Sequence, residues 1–121
     1  MATGTQTTNQ VYQMIRQAIL DRDIVVATYH GHLREMCPHV IGTKHGRPQS
    51  LMYQFAGGSS TGLELDGSTA NWRCVIVEEL LDISIRKALG GWHTASNYSS
   101  AAQKCIDEIE AQVSSQGVMN V

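Results

Sequence analysis

Apolar and polar residues alternate along this chain with two different periods, and the changes of period divide it into elements. Val11, Met14, Ile15, Ala18 and Ile19 recur at helical spacing and form one apolar stripe. Thr7 stands three residues before Gln10, the spacing of a capping box. A helix is therefore predicted over about 8–20, closed by Asp21-Arg22-Asp23, with Met1–Gln6 as a frayed polar tail. From Ile24 the pattern becomes that of strands. Ile24–Tyr29 is dense in β-branched and aromatic residues, Gly31 marks a tight turn, and Leu33–Thr43 returns. Pro38 interrupts that second strand and should sit at an edge or a bulge, because proline cannot donate to the ladder. A turn at Lys44-His45-Gly46-Arg47-Pro48 leads to a third strand, Ser50–Ala56, with Leu51, Tyr53 and Phe55 on one face.

Gly57–Ala70 is long, irregular and rich in glycine and serine, the kind of loop that is often functional in a small domain. Trp72–Ile85 alternates again and holds a fourth strand and a fifth, with a bend at Glu79-Leu80. After Gly90-Gly91, Trp92–Ser99 reads as a loop. Ala102, Cys105, Ile106, Ile109 and Val113 then return to helical spacing behind Ser99 or Ser100 as cap, which predicts a second helix over about 99–116, closed by Gly117. The expected architecture is α+β: a small antiparallel barrel of four to five strands at about 24–85, flanked by helices at about 8–20 and 99–116.

Composition narrows this without changing it. At 121 residues, 42% hydrophobic and 17% charged, the chain suits one folded domain and argues against disorder. No apolar run approaches the roughly 18 residues of a membrane span, and Met1–Gln10 lacks the basic start and apolar stretch of a secretory signal. A cytoplasmic location is the expectation. Cys37, Cys74 and Cys105 are odd in number and widely spaced, so buried reduced thiols are expected rather than a disulfide framework. The net charge of −2 does not favour general nucleic-acid binding. The stretch His30–Arg47, however, carries Arg34, Lys44, Arg47 and four histidines against Glu35 alone, a local basic face suited to one anionic ligand.

The strand block resembles the WYL domain, an SH3-like (Sm-like) small barrel found in bacterial ligand-sensing regulators. The resemblance runs from about Ile24 to Ile85. Its residues are the apolar strand Val25-Val26-Ala27-Thr28-Tyr29, the turn at Gly31, and Arg34-Glu35-Met36-Cys37-Pro38-His39-Val40. Gly46, Leu51-Met52-Tyr53-Gln54-Phe55 and Trp72-Arg73-Cys74-Val75-Ile76-Val77-Glu78-Glu79-Leu80 complete the pattern. The family's Trp-Tyr-Leu triplet is replaced by Leu51-Met52-Tyr53, and its N-terminal helix-turn-helix is missing. The resemblance implies a domain that binds nucleotides or single-stranded nucleic acid. Such a module, without an output domain, suits sensing or sequestering a signalling nucleotide, as phage counter-defence proteins do.

Candidate ligand-binding residues are Tyr29, His32, Arg34, Tyr53, Ser59, Ser60, Trp72 and Arg73. Arg73 beside Trp72 can hold a phosphate while an aromatic ring stacks on a base; alternatively it pairs with Glu78 or Glu79 while Trp72 plugs the core. His32 and Arg34 share a strand face and could join Arg73 in an anion site, or form a solvated hairpin tip. The Gly57–Gly62 loop, with Ser59 and Ser60, resembles a phosphate nest without the lysine of a P-loop, and serves either as a lid or as a plain connection. Cys37-Pro38-His39 invites a metal reading but lacks the paired knuckles of a zinc site, so no metal and no cofactor are expected. No catalytic constellation stands out. The competing readings are a protein–protein adaptor, with the helices supporting a homodimer, and a small histidine-dependent nuclease or cyclic-nucleotide hydrolase.

Overall fold

Thr7 and Gln10 form the reciprocal cap that their spacing predicts: the Gln10 amide donates to Thr7 Oγ1 (3.1 Å) and the Thr7 amide to Gln10 Oε1 (2.8 Å). The helix they open, α1 (Thr8–Asp21), ends at Arg22 in the left-handed region (φ 55°). It buries Val11, Ile15, Ala18 and Ile19, with Met14 packed at the rim of the core. The computed structural model describes residues 6–60 and 62–113. Met1–Thr5 of the expected tail lie outside the described residues. Gln6 is not frayed. Its side-chain amide donates to the Ile83 carbonyl (3.2 Å) and accepts from the Ile83 amide (3.1 Å).

Six strands follow among the described residues: β1 (Ile24–Tyr29), β2 (His32–Lys44), β3 (Arg47–Gly57), β4 (Trp72–Ile76), β5 (Leu80–Arg86) and β6 (Glu108–Gln112). The two hairpin turns, His30-Gly31 and His45-Gly46, place both central residues at positive φ (49° and 81°; 51° and 79°), the turn whose twist matches paired strands. The sheet is antiparallel in the order β4-β3-β2-β1-β5, with β6 added to β2. Strand β2 is shared along its length. Val25–Tyr29 of β1 pair with its first part, His32–Met36, and β6 with its last part, Val40–Thr43. Pro38 falls between the two, where the register with β3 also shifts between Pro38 and Val40. The bulge expected from proline is thus present, at the place where β2 changes partner. A short 3-10 turn, Val77–Glu79, joins β4 to β5. The sheet curls enough for Tyr29 of β1 to reach β4, where its hydroxyl accepts from the Ile76 amide (3.0 Å). It does not close into a barrel.

Helix α1 covers one face, against β2, β5 and β6. Met36, Ile41, Met52, Val25, Val75 and Val77 are fully buried with it, each contributing about 1.5–3 kcal/mol of burial. The free edge of β5 is blunted twice. Gln6 occupies the Ile83 peptide, and Asp82 adopts φ 53° beside a register shift.

Beyond the unclosed barrel and the ordered Gln6, two further expectations fail. The second helix predicted over 99–116 is absent among the described residues: 99–107 is irregular, and 108–112 is β6. Ser99 does cap one turn, with Ala102 donating to its hydroxyl. The Gln103 side chain then accepts from the Cys105 and Ile106 amides and ends the turn. The free edge along Val40–Thr43 offers backbone partners that helical periodicity cannot anticipate. The predicted end of that helix, with Gly117, lies outside the described residues. The second failure concerns the thiols. Cys74 and Cys105 are joined in a disulfide across a 31-residue separation, their Cα atoms 5.5 Å apart, and only Cys37 is free and buried.

Gly42 of β2 lies under β6 with no room for a side chain. A Cβ there would fall on the Glu108 carbonyl and within 2.7 Å of Ile106 Cγ2. Gly42→Ala is expected to lower stability by roughly 2 kcal/mol in a urea melt, because β6 must shift off β2. A cost below about 0.5 kcal/mol would show that β6 contributes little to the fold.

Candidate functional site

The side chain that organises the candidate site is Gln54, which sequence reasoning passed over. It is fully buried at the second-last turn of alternation in β3, on the same face as Met52. Its Oε1 accepts from two guanidiniums, Arg34 Nη1 (3.3 Å) and Arg73 Nε (3.0 Å). Its Nε2 donates to the carbonyls of Ala56 (3.1 Å) and Gly58 (2.9 Å), which fixes the orientation of the amide. Strand register explains the convergence. Arg34 pairs with Gly57, Gln54 with Met36 and Arg73 with Met52, so the three side chains lie diagonally across β2, β3 and β4. A polar residue at a core position, Met52-Tyr53-Gln54, was the only sequence signal for Gln54.

Arg34 is 5% exposed. Its Nε donates to the Tyr29 carbonyl (3.2 Å), and its guanidinium stands 5.2 Å from the centroid of the Tyr29 ring, a cation–π contact. Arg73 is half-buried. Its Nη1 donates to the carbonyls of Ala70 (2.8 Å) and Trp72 (3.3 Å), and its Nη2 to the Gly62 carbonyl (3.2 Å) and Ser59 Oγ (3.5 Å). Every one of these acceptors is neutral. Among the described residues neither arginine has a carboxylate partner. The pairing with Glu78 or Glu79 that was the alternative for Arg73 is made instead by Arg47 (3.1 and 3.4 Å). Burial lowers the pKa of both arginines; for Arg34 the nearby Arg73 lowers it further and Tyr29 opposes the shift, while for Arg73 Tyr53 opposes it. Both remain charged, since arginine is not deprotonated in proteins. Two cations facing neutral oxygens leave a site of uncompensated positive potential.

The other predicted residues divide between this site and a second cluster. His32 is half-buried against the loop, so that a Cβ on Gly58 would lie 2.9 Å from its Nδ1. Ser59 reaches Arg73 and donates to the Gly62 carbonyl (2.8 Å), while Ser60 is exposed. Tyr29 is buried between His30, stacked at 4.0 Å, and Arg34; burial raises its pKa, against the lowering effects of the Ile76 amide and Arg34. Tyr53 and Trp72 stand elsewhere. Tyr53 is fully buried, its hydroxyl accepting from the Gly67 amide (2.6 Å) and donating to the Ser68 carbonyl (2.9 Å). Trp72 points to the opposite face of β4 from Arg73. It packs edge-on against Tyr53 and His39 and donates to Asn97 Oδ1 (2.9 Å). Neither ring has a free face beside the guanidiniums, so the stacking role expected of them falls away there.

Cys37-Pro38-His39 is used internally. His39 Nδ1 donates to the Cys37 carbonyl (2.8 Å), its Nε2 accepts from the Thr94 hydroxyl (2.8 Å), and Cys37 Sγ accepts from the His93 amide (3.2 Å). Burial pushes the Cys37 thiol up to about 12, which keeps it protonated at neutral pH. Among the described residues no group of three or more His, Cys, Asp or Glu side chains gathers to hold a metal. A concavity of about 240 Å³ opens on the aromatic side, lined by Leu51, Trp72, Asn97, Tyr98, Gln103 and Cys105 among others. No described helix is long and apolar enough to cross a membrane. In comparisons with known proteins, no family model, no curated protein and no solved structure matches this chain.

Proposed function

We propose that this chain is a WYL-like binding module that takes a small anionic ligand at Arg34 and Arg73. The observation that carries the reading is the convergence of two guanidiniums on one neutral oxygen, Gln54 Oε1, with no carboxylate partner among the described residues. A buried, unneutralised arginine is costly to keep, and a ligand anion is the simplest compensation for it. The strand order β4-β3-β2-β1-β5 with a 3-10 link from β4 to β5 supports an SH3-like relationship for the sheet. The ligand class is a nucleotide or a short single strand, held by its phosphate, because a guanidinium fork matches phosphate oxygens. His32 and Ser59 flank the same ground. The role is sensing or sequestering, and the cytoplasm is its setting.

The test is a thermal-shift panel of mono-, di- and cyclic nucleotides, short single strands and inorganic phosphate, with Arg34→Met in parallel. A ligand at a hundred times its dissociation constant is expected to stabilise the wild type by about 2.7 kcal/mol. Arg34→Met is expected to keep the fold and lose that response. The reading is overturned if no anion shifts the melt, or if Arg34→Met responds like the wild type. A second reading, a protein–protein adaptor, draws on Leu33 and Leu81. Both are about 60% exposed and both pair with Thr28, which makes a short apolar row across β2, β1 and β5.

A further inference from the structure

The segment from Lys87 to Asp107 has no helix or strand, yet it lies across the aromatic face of the sheet. It is held by side-chain packing, with Ala95, Tyr98, Cys105 and Ile106 buried, and by isolated hydrogen bonds rather than by strand pairing. Trp92 Nε1 donates to the Asp23 carbonyl (3.4 Å), Thr94 bonds His39, and Asn97 accepts from Trp72. His93 stacks on Phe55 (4.0 Å) and pairs with Asp66 (2.8 Å). Near its end one covalent tie, Cys74–Cys105, holds it to β4. The two partners differ in access. Cys105 is buried at 6% exposure, whereas Cys74 is exposed on a strand whose other edge carries no partner strand. The tie also forms part of the wall of the 240 Å³ concavity, beside Trp72 and Tyr98.

We propose that Cys74–Cys105 is a reversible redox site, cleaved by dithiol reductants, whose reduction releases the 87–107 segment and opens the concavity beneath it. Exposed disulfides are the labile and regulatory ones, because a thiolate can reach a sulfur in line. Cys74 is the exposed partner, so a reductant approaches from its side. A reductant thiolate attacks Cys74 Sγ, the Cys74–Cys105 bond breaks, and Cys105 leaves as a thiolate that takes up a proton. The reductant's second thiol then displaces Cys74 from the mixed disulfide. Two electrons and two protons pass to the protein, and the dithiol becomes a disulfide. The Cα separation of 5.5 Å is ordinary for a disulfide, so the pair re-forms once the segment is back in place. Cys37, buried at 0% exposure, takes no part. This site is independent of the arginine site: Cys74 and Arg73 are neighbours on β4 and point to opposite faces.

The test uses the full chain equilibrated in oxidised or reduced glutathione, then with dithiothreitol. Acid-quenched alkylation with peptide mapping is expected to find Cys74 and Cys105 blocked together under oxidising conditions and both labelled after dithiothreitol, without denaturant. Trypsin is expected to cut after Lys87 and Lys104 roughly tenfold faster in the reduced protein, since local opening governs cleavage. Cys74→Ser, a change at an exposed site, is expected to be cut at the reduced rate whatever the buffer. Three results overturn the proposal, and the wild type alone can give each of them. They are all three cysteines free in oxidised glutathione, a bond that only denaturant makes reducible, or equal cleavage rates in the two states.

Discussion

Gln54→Leu is expected to cost roughly 4 kcal/mol, the largest effect of a single side chain in this protein. Leucine fits the volume but removes both halves of the amide. Arg34 and Arg73 lose the acceptor they share, and the carbonyls of Ala56 and Gly58 lose their donor. The stranded charge of Arg34 dominates, because that side chain is 5% exposed and keeps only the Tyr29 carbonyl and ring. It follows that the damage depends on Arg34 being present. Arg34→Met alone removes a buried charge that has no carboxylate partner and is expected to change stability by less than about 1 kcal/mol. In the double variant Gln54→Leu, Arg34→Met, roughly 2 kcal/mol of the loss should be recovered. Urea melts of the four proteins complete the cycle. Additive losses would mean that the two side chains do not act as one unit, and the anion site would lose its physical basis.

Acidification from about pH 6.5 to pH 4 is expected to remove about 3 kcal/mol of stability through His39 alone. His39 is fully buried among Trp72, Trp92 and Tyr98. Burial, assisted by the positive charge of Arg22, holds its pKa down to about 4, against the raising effect of the Cys37 carbonyl. Its ordinary value is 6.5. Between those two values the unfolded chain binds a proton at this residue and the folded chain does not. Stability therefore rises with pH across that window and falls as pH drops through it, with no further loss from this group below about 4. His39→Gln is expected to be less stable at pH 7, yet to lose about 3 kcal/mol less than the wild type over the same interval. Parallel slopes in chemical melts across that range would show that His39 stays solvated or charged in the fold.

Much of the architecture was legible in the chain itself. The period of α1, its Thr7–Gln10 cap, the two His-Gly turns and the bulge at Pro38 are local. Each depends on backbone sterics or on contacts within a few residues. The strands from Ile24 to Arg86 follow from alternation for the same reason. Helical spacing from Ala102 to Val113 misled because its outcome is not local. The free edge of β2 beyond Pro38 and a thiol on β4 recruit that segment as β6 and as a disulfide partner, and neither is near it in sequence. The site divides in the same way. Strand alternation groups His32 with Arg34, whereas adjacency in the chain joins Trp72 to Arg73 in one expected site that the structure divides between the two faces of β4. Only the register of β2, β3 and β4 brings Arg34 and Arg73 to one Gln54 oxygen. Only packing turns Tyr53 and Trp72 into the aromatic core, where burial of their rings outweighs any role at the surface.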